Sequence, residues 1–416
     1  MKAKLLFLAL LLTGGIFPTQ TTGVVAADWP QWRGPMRDGT STETNWSHAW
    51  KGEPKRLWKA AVGTGFSSIA VAEGSAYTQG NVGGTNLVWC LDALTGIARW
   101  QFAHAESLMS NQFEGGPTST PLVADGRVFT ASRAGMVHCL DARTGALFWE
   151  QSLAQATGLK MKNWGLNGSP LLMGGKLFLN WGTAGVALNP ADGHVDWLSG
   201  PDEWSYTSLV PGRWGEREVL FVSAANQLAV VNPTDGAIRW SLPFHVGFKG
   251  SDPVPVGDLG VFFGANETGG AFIRFDGEKP TMVWNKSELG TFTGGAVLVD
   301  GYLYAILSNR NDKGDLACFE PSTGNVLWSQ GGYGWGSLLA AGDRLLVLSV
   351  KGEFSVMKAS PQKAQVMAHA QILGGKCWTT PALAEGRLYA RNGRGDLVCI
   401  DLRPTPGRGN PATETF

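Results

Sequence analysis

A segment of eleven residues that ends in tryptophan recurs six times along this chain. Its copies read CLDALTGIARW (90–100), CLDARTGALFW (139–149), ALNPADGHVDW (187–197), VVNPTDGAIRW (230–240), RFDGEKPTMVW (274–284) and CFEPSTGNVLW (318–328). Degenerate copies begin at Val356 and Cys399, and Trp58 stands 42 residues before Trp100. This periodicity predicts that each repeat is one supersecondary unit of a propeller or solenoid.

A second element, two short apolar runs separated by a turn that contains glycine, recurs eight times. Its copies lie at residues 69–77, 121–129, 170–178, 209–221, 253–262, 296–304, 338–346 and 381–389. Asp-Gly, Glu-Gly and Gly-Gly between apolar runs indicate hairpins. Each period therefore supplies about four short strands, which is one propeller blade. The sequence predicts an all-β, eight-bladed β-propeller over residues 55–402.

The ends of the chain indicate how the ring closes. The last copy, at Cys399, has no tryptophan after it, whereas Trp58 has no motif before it. We expect the strand at 56–60 to complete the blade that the C-terminus begins. Seven of eight tryptophan positions are then filled, and the seventh blade is degenerate near Met367. Each tryptophan is expected to pack between blades and to donate its indole N–H to a carbonyl.

The pattern Leu-Asp-Ala-x-Thr-Gly-x-x-x-Trp resembles the repeat of the pyrroloquinoline-quinone (PQQ)-like propellers. That superfamily includes quinoprotein alcohol dehydrogenases and the propeller lipoprotein of the outer-membrane β-barrel assembly machine. Residues 28–39, DWPQWRGPMRDG, resemble the start of mature bacterial PQQ-like repeat proteins. The resemblance implies the fold. It implies neither activity, because the chain lacks the adjacent cysteines and the calcium-ligand set of the dehydrogenases and the acylated cysteine of the lipoprotein. No cofactor is predicted, and PQQ with Ca²⁺ is the alternative.

The first 27 residues have the pattern of a secretory signal peptide. Lys2 and Lys4 precede an apolar run at 5–12, and Ala26 and Ala27 offer a cleavage site before Asp28. The rival interpretation, a membrane anchor, is disfavoured because a span needs about 20 apolar residues. The mature protein is expected to be soluble, periplasmic or extracellular, and not a lipoprotein. We expect a Trp/Pro/Gly-rich extension at 28–54 that packs on the propeller, and a flexible C-terminal tail at 403–416.

Charge and cysteine content exclude several classes of partner. The chain has 34 basic and 34 acidic residues, and this balance argues against nucleic acid or an anionic membrane as the partner. Four of the five cysteines occupy one repeat position, so we expect free, buried thiols rather than disulfides or a zinc site. A monomer is predicted.

A candidate ligand site lies at the mouth of the central channel, where the loops into the inner strands carry aromatic residues. Its predicted residues are Phe66, Phe113, Trp164, Trp204, Tyr206, His245, Phe248, Phe292, Trp335 and Trp378. Aromatic rings with polar neighbours suit a planar or carbohydrate-like ligand. The competing interpretation is that these rings only wedge the blades together.

Three functions remain open at this stage. The first is a non-catalytic binding or scaffolding protein of the periplasm or cell envelope, whose partner is an envelope protein or a small molecule or glycan at the channel mouth. The second is a PQQ-dependent oxidoreductase. The third is a carbohydrate- or peptide-binding accessory protein. Four N-terminal tryptophans are expected to clamp the blades, since soluble proteins seldom expose so many: Trp29, Trp32, Trp46 and Trp50.

Overall fold

The computed structural model describes residues 28–50, 52–109, 113–161, 164–247, 250–275, 279–308 and 314–404. In these ranges the chain forms eight separate sheets, seven with four strands and one with five. The prediction of an all-β, eight-bladed propeller is confirmed. The predicted signal peptide and nearly all of the predicted tail lie outside the described residues.

The first four blades are each formed by four consecutive antiparallel strands. Their bounds are β3 (Ala70–Ala72), β4 (Ser75–Val82), β5 (Thr85–Asp92) and β6 (Ala98–Ala105); β7 (Leu122–Ala124), β8 (Arg127–Ala131), β9 (Met136–Asp141) and β10 (Leu147–Ser152); β11 (Leu171–Met173), β12 (Lys176–Leu179), β13 (Val186–Leu188) and β14 (Val195–Leu198); β15 (Val210–Trp214), β16 (Arg217–Ser223), β17 (Gln227–Val231) and β18 (Ile238–Pro243). A single α-helical turn, α1 (Leu153–Thr157), follows β10 among the described residues.

The other four blades follow the same order, with additions from the N-terminal part of the chain. Their bounds are β19 (Val254–Val256), β20 (Gly260–Ala265), β21 (Gly269–Arg274) and β22 (Thr281–Lys286); β23 (Thr291–Val299), β24 (Tyr302–Leu307), β25 (Asp315–Phe319) and β26 (Val326–Gln330); β27 (Ser337–Ala341), β28 (Arg344–Leu348), β29 (Glu353–Lys358) and β30 (Gln365–Gln371), with β1 (Thr40–Ser41) parallel to β27; and β31 (Ala382–Ala384), β32 (Arg387–Arg391) and β33 (Asp396–Asp401), with β2 (Lys55–Ala61) as the outer strand. The first strand of each blade faces the central channel.

The eighth blade closes the ring as predicted. Strand β2 pairs antiparallel with β33, and Trp58 lies opposite Cys399. Blade 7 is the degenerate one, because Ala368 stands opposite Val356 where the other blades have tryptophan. The seven tryptophans at this position form what we call the tryptophan belt: Trp58, Trp100, Trp149, Trp197, Trp240, Trp284 and Trp328.

The belt joins each blade to the next. In six of its members the indole N–H donates to a backbone carbonyl in a turn of the following blade, at N···O distances of 2.8–3.1 Å. The seventh, Trp240, packs edge-on against Phe275 of blade 5. The predicted indole–carbonyl contact is therefore confirmed for these six residues.

The repeat requires glycine in its turn for two physical reasons. Gly193 has φ +80°, which disfavours residues with a Cβ atom, and a Cβ there would lie 2.5 Å from Cε3 of Trp149. The motif glycine thus allows the belt ring of the preceding blade to lie flat on the turn. The sequence indicated the turn but not this contact.

Blade 5 departs from the gapless alignment of the repeats. Trp284 lies opposite Phe272, whereas the alignment placed it opposite Arg274, which is exposed at the end of β21. The alignment is therefore wrong there by two residues, because twelve positions separate Phe272 from its partner Trp284, whereas ten separate Cys90 from Trp100 in blade 1.

All five cysteines are buried and free, as expected. Four of them lie on the third strand of a blade, where Cys90, Cys139, Cys318 and Cys399 each pair with a belt tryptophan. Burial raises the pKa of Cys377 to about 12 and that of Cys399 to about 12. These thiols are small core residues rather than reactive groups.

Residues 28–47, which we call the axial clasp, run through the central channel and contact all eight blades. Its hydrogen bonds reach, in blade order, Val71, Val123, Pro170, Leu209, Asp252, Ala296, Ala340 and Glu385. Of the four tryptophans in residues 28–50, Trp29 and Trp46 are buried and Trp32 and Trp50 are half-buried.

Two charged side chains anchor the clasp. Arg37 is 1% exposed and donates to the carbonyls of Ser169, Pro170 and Leu209 at 2.6–3.1 Å. The Glu43 carboxylate accepts from two backbone N–H groups in the β31–β32 turn. The described ranges contain no helix with the length and hydrophobicity of a membrane span.

Candidate functional site

A cavity of about 160 Å³ lies on the propeller axis, at the end where the loops enter the inner strands. Six of the ten predicted site residues line it: Phe66, Phe113, Trp164, Tyr206, Phe292 and Trp378. Five come from the loops that lead into blades 1, 2, 3, 4 and 8, and Phe292 lies at the start of β23 in blade 6, so the repeat brings together rings that are far apart in the sequence. We call this cavity the axial pocket.

The rings of the axial pocket also contact one another. Trp378 stacks on Phe66 at 5.2 Å between centroids and meets the edge of Phe113 at 4.9 Å. Trp164 packs against Phe113 and stacks on Tyr206, whose hydroxyl accepts the backbone N–H of Trp164 at 2.8 Å. The rings therefore pack against each other across blade boundaries and leave a space between them.

The other predicted site residues do not line the pocket. Trp335 lies behind it and contacts Phe292 and Trp378. Trp204 is 4% exposed and stacks on Trp181 at 4.0 Å, in the core between blades 2 and 3. His245 is exposed on the β18–β19 loop beside Asn226, and Phe248 lies outside the described residues. The placement of Trp204 and His245 at the channel mouth is corrected: the loop position held, but local packing turns these side chains away from the axis.

The tip of the axial clasp forms the floor of the pocket. Trp32 and Arg33 line it together with Asp252 from blade 5. The Asp252 carboxylate accepts the Trp32 indole N–H at 2.6 Å and the backbone N–H of Ser208 at 2.6 Å. The repeat gave no signal for Trp32 and Arg33, because residues 28–47 precede the first blade and follow no period.

A chain of hydroxyl groups surrounds the floor, and we call it the hydroxyl girdle. The backbone N–H groups of Ser68, Thr120 and Ser169 each donate to a hydroxyl of the next blade, Thr120, Ser169 and Ser208 respectively, at 2.9–3.1 Å. The chain ends on Asp252. Hydroxyls that accept from the backbone still have a proton to donate.

The rim of the pocket carries one ion pair among the described residues. Lys376 Nζ lies 2.9 Å from the Glu114 carboxylate and 4.5 Å from the centroid of the Trp378 ring. Both partners are part-exposed, so this pair contributes little stability. It holds the loops of blades 8 and 2 together above Phe66.

The lining of the pocket consists mainly of aromatic rings and hydrogen-bonding groups. The described lining residues include no histidine, cysteine or lysine, and their one carboxylate is Asp252, whose two oxygens both accept hydrogen bonds. No group of three His, Cys, Asp or Glu side chains suited to a metal ion occurs in the described ranges. A PQQ–Ca²⁺ site needs several oxygen ligands for the ion, and this donor set does not fit it.

These features define the class of the molecule: a propeller of PQQ-type repeats with a plugged channel and an aromatic pocket on its axis. Residues 84–330, more than half of the chain, match the family profile described as outer membrane protein assembly factor BamB. The chain therefore belongs to this family of PQQ-repeat propellers. No curated protein sequence matches the chain significantly.

Solved structures support the same fold at low sequence identity. BamB from Moraxella catarrhalis aligns with a TM-score of 0.61 and 16% identity, over 86% of this chain and 100% of that chain. A europium-containing methanol dehydrogenase gives 0.65 and 12%, over 87% and 89%. The quinohemoprotein alcohol dehydrogenase from Comamonas testosteroni gives 0.54 and 14%, over 92% and 82%. This chain is thus similar in fold to both BamB and quinoprotein dehydrogenases.

Proposed function

We propose that this protein is a non-catalytic binding protein of the cell envelope, which holds a ring-containing ligand or partner side chain in the axial pocket. The observation that carries the proposal is the pocket itself: seven aromatic rings, Trp32 and the six predicted ones, line a space of about 160 Å³, and both oxygens of its single carboxylate accept hydrogen bonds. An apolar cavity of about 150 Å³ accommodates a benzene ring. Aromatic walls and fixed polar groups are typical of ligand sites.

Membership of the BamB family favours a binding role over an oxidoreductase. The family name describes an assembly factor, and the residues of the axial pocket lack the ion-ligand set that the dehydrogenase alternative needs. The predicted export signal is consistent with a place in the envelope. A periplasmic or extracellular location and a monomeric state belong to the same proposal.

The proposal is tested by binding to glycan and peptide arrays, with Trp378→Ala and Trp164→Ala as pocket variants and Trp240→Ala as the matched control in the tryptophan belt. We expect the pocket variants to lose at least about fivefold in affinity while the control keeps it, since stacking on one ring contributes roughly 1 kcal/mol. Unchanged binding in both pocket variants, with a lowered melting temperature, would show that the rings serve packing alone.

The catalytic alternative has its own test. Purified protein is titrated with PQQ and Ca²⁺ while tryptophan fluorescence and dye-linked alcohol oxidation are followed. We expect no turnover. Saturable quenching together with turnover that depends on PQQ and on Trp378 would replace the binding proposal with the oxidoreductase.

A further inference from the structure

The floor of the axial pocket contains a buried cation that is incompletely paired. Arg33 is 2% exposed, and its Nη2 donates to the carbonyls of Asp38 and Ala296 at 2.7 and 2.5 Å. Its Nε has no hydrogen-bond partner among the described residues. Burial lowers the pKa of Arg33, and the attraction of Asp252 and Asp38 only partly opposes this effect. A buried charge without full compensation is costly.

One of the two carboxylates that attract this cation also attracts a second arginine. Asp252 is also the main charge that opposes the burial of Arg37, whose pKa burial lowers to about 10. Both Asp252 oxygens already accept hydrogen bonds, from Trp32 and Ser208. A second cation, Arg133, lines the pocket wall and donates to the carbonyls of Trp164 and Gly116. Positive charge therefore exceeds negative charge among the lining residues.

The hydroxyl girdle adds donors to the same floor. The Oγ atoms of Ser169 and Ser208 accept backbone N–H groups, and no acceptor for their own protons is present among the described residues. Thr118 donates to the amide oxygen of Asn167 and so occupies one of its two acceptor positions. The floor thus offers more donors than acceptors, and such a set favours an anionic group.

From this excess of donors and positive charge we infer that the floor is an anion subsite and that the axial pocket takes a single-ring ligand bearing one carboxylate or a comparable anionic group. The ring lies between the aromatic walls, and the anionic group meets Arg33 and the Ser169 and Ser208 hydroxyls. This inference rests on the proposed function and names its ligand class. An aromatic acid and a sugar acid share this chemistry.

Two isosteric pairs test the inference on the unaltered protein. Benzoate is compared with benzamide, and glucuronate with glucose, by calorimetry and tryptophan fluorescence at pH 7. We expect at least one anion to bind tenfold or more tightly than its neutral partner, and the pair that shows this preference identifies the aromatic or the sugar acid as the source. Equal or tighter binding of the neutral partners overturns the anion subsite but leaves ring binding in place.

Failure of all four compounds to bind at 10 mM also overturns the inference, whereas the proposed function is judged separately by the arrays and the pocket tryptophan variants. A failure of the anion subsite can therefore be distinguished from a failure of the proposed binding function. The concentration is on the order of that needed to detect a millimolar dissociation constant.

A charge series at Arg33 tests the role of the cation. We expect Arg33→Gln to reduce the preference for the anion to less than about threefold without changing affinity for the neutral ring, and Arg33→Lys to restore part of it. A merely structural role would weaken both ligands equally, and that result would overturn the assignment. Arg213→Gln, at an exposed site, is the matched control. If Arg33→Gln does not fold, Arg133→Gln is used with the same expectation.

Discussion

The tryptophan belt and the axial pocket both take about one aromatic ring from each blade, yet they differ in regularity. In the belt, the residue, its register and its carbonyl partner repeat around the ring. In the pocket, phenylalanine, tryptophan and tyrosine follow no regular order, and the two lining cations, Arg33 and Arg133, do not repeat from blade to blade. Regular positions stabilise contacts between blades, whereas the break in symmetry marks the surface suited to one asymmetric ligand.

The largest expected effect on stability is at a buried arginine that breaks the regularity of the blades. Arg391 is fully buried, takes the place that Ala131 has in blade 2, and donates to the carbonyls of Gly63, Gly65 and Gln79. Arg391→Met leaves those carbonyls without donors, and we expect a loss of about 4 to 5 kcal/mol in the free energy of unfolding. Denaturant unfolding measures it, with the exposed Arg394→Met as control. A loss below about 1 kcal/mol would contradict this structural role.

The closing member of the belt comes next. Trp58 is buried and joins blade 8 to blade 1 through its bond to the Ala93 carbonyl. We expect Trp58→Ala to cost about 3 kcal/mol of stability, while ligand affinity of the remaining folded protein is unchanged. If Trp378→Ala costs as much stability as Trp58→Ala, the functional contrast between belt and pocket is wrong.

Much of the contrast between the tryptophan belt and the axial pocket can be predicted from the repeat in the sequence. The repeat is sufficient to predict the eight blades and the closing strand. The loops before the inner strands suggested ten candidate site residues, of which six line the pocket, because equivalent positions of a propeller converge on one axis. The register of blade 5 was not predictable, since a shift of two residues along a strand keeps the same face, and Phe272 instead of Arg274 pairs with Trp284.

The other residues of the site could not be predicted, because their positions depend on contacts that do not recur with the repeat. Arg33 and Trp32 reach the floor through the axial clasp, which pairs with residues more than 200 positions away. Trp204 leaves the axis because stacking on Trp181 buries it better than the channel mouth does. Such choices are set by tertiary packing rather than by local sequence.

Two glycines test whether contact with a belt tryptophan is what requires glycine in the turn. Gly193 and Gly175 have φ values of +80° and +74°, but only a Cβ at Gly193 would meet a belt ring, whereas Gly175 has open space. We expect Gly175→Ala to cost about 1 kcal/mol from backbone strain alone, and Gly193→Ala to cost about 1 to 3 kcal/mol more from overpacking. The melting temperatures of the two variants measure this difference. Equal losses of stability would contradict the proposed contact between Gly193 and the ring of Trp149.

The smallest expected effect is a pH dependence in the interface between blades 1 and 2. Burial, and secondly the charge of His104, lower the pKa of His138 to about 3. The unfolded chain binds this proton near pH 6.5 and the folded chain does not, so the contribution is complete above pH 6.5 and stability falls as pH drops towards 3. Between pH 6.5 and 5.5 we expect a loss of at most about 1 kcal/mol. His138→Gln should flatten this slope in urea unfolding series, and an unchanged slope would contradict the assignment.

The axial clasp changes the way in which this repeat protein unfolds. Blades that touch only their neighbours unfold piecemeal, since stability is then a sum of local and nearest-neighbour contributions. The clasp is a single segment with hydrogen bonds to all eight blades. Unfolding of one blade therefore also weakens the contacts that the clasp makes with the other blades. We therefore expect the eight blades to unfold as one cooperative unit. The same clasp carries Trp32 and Arg33, which form the floor of the axial pocket.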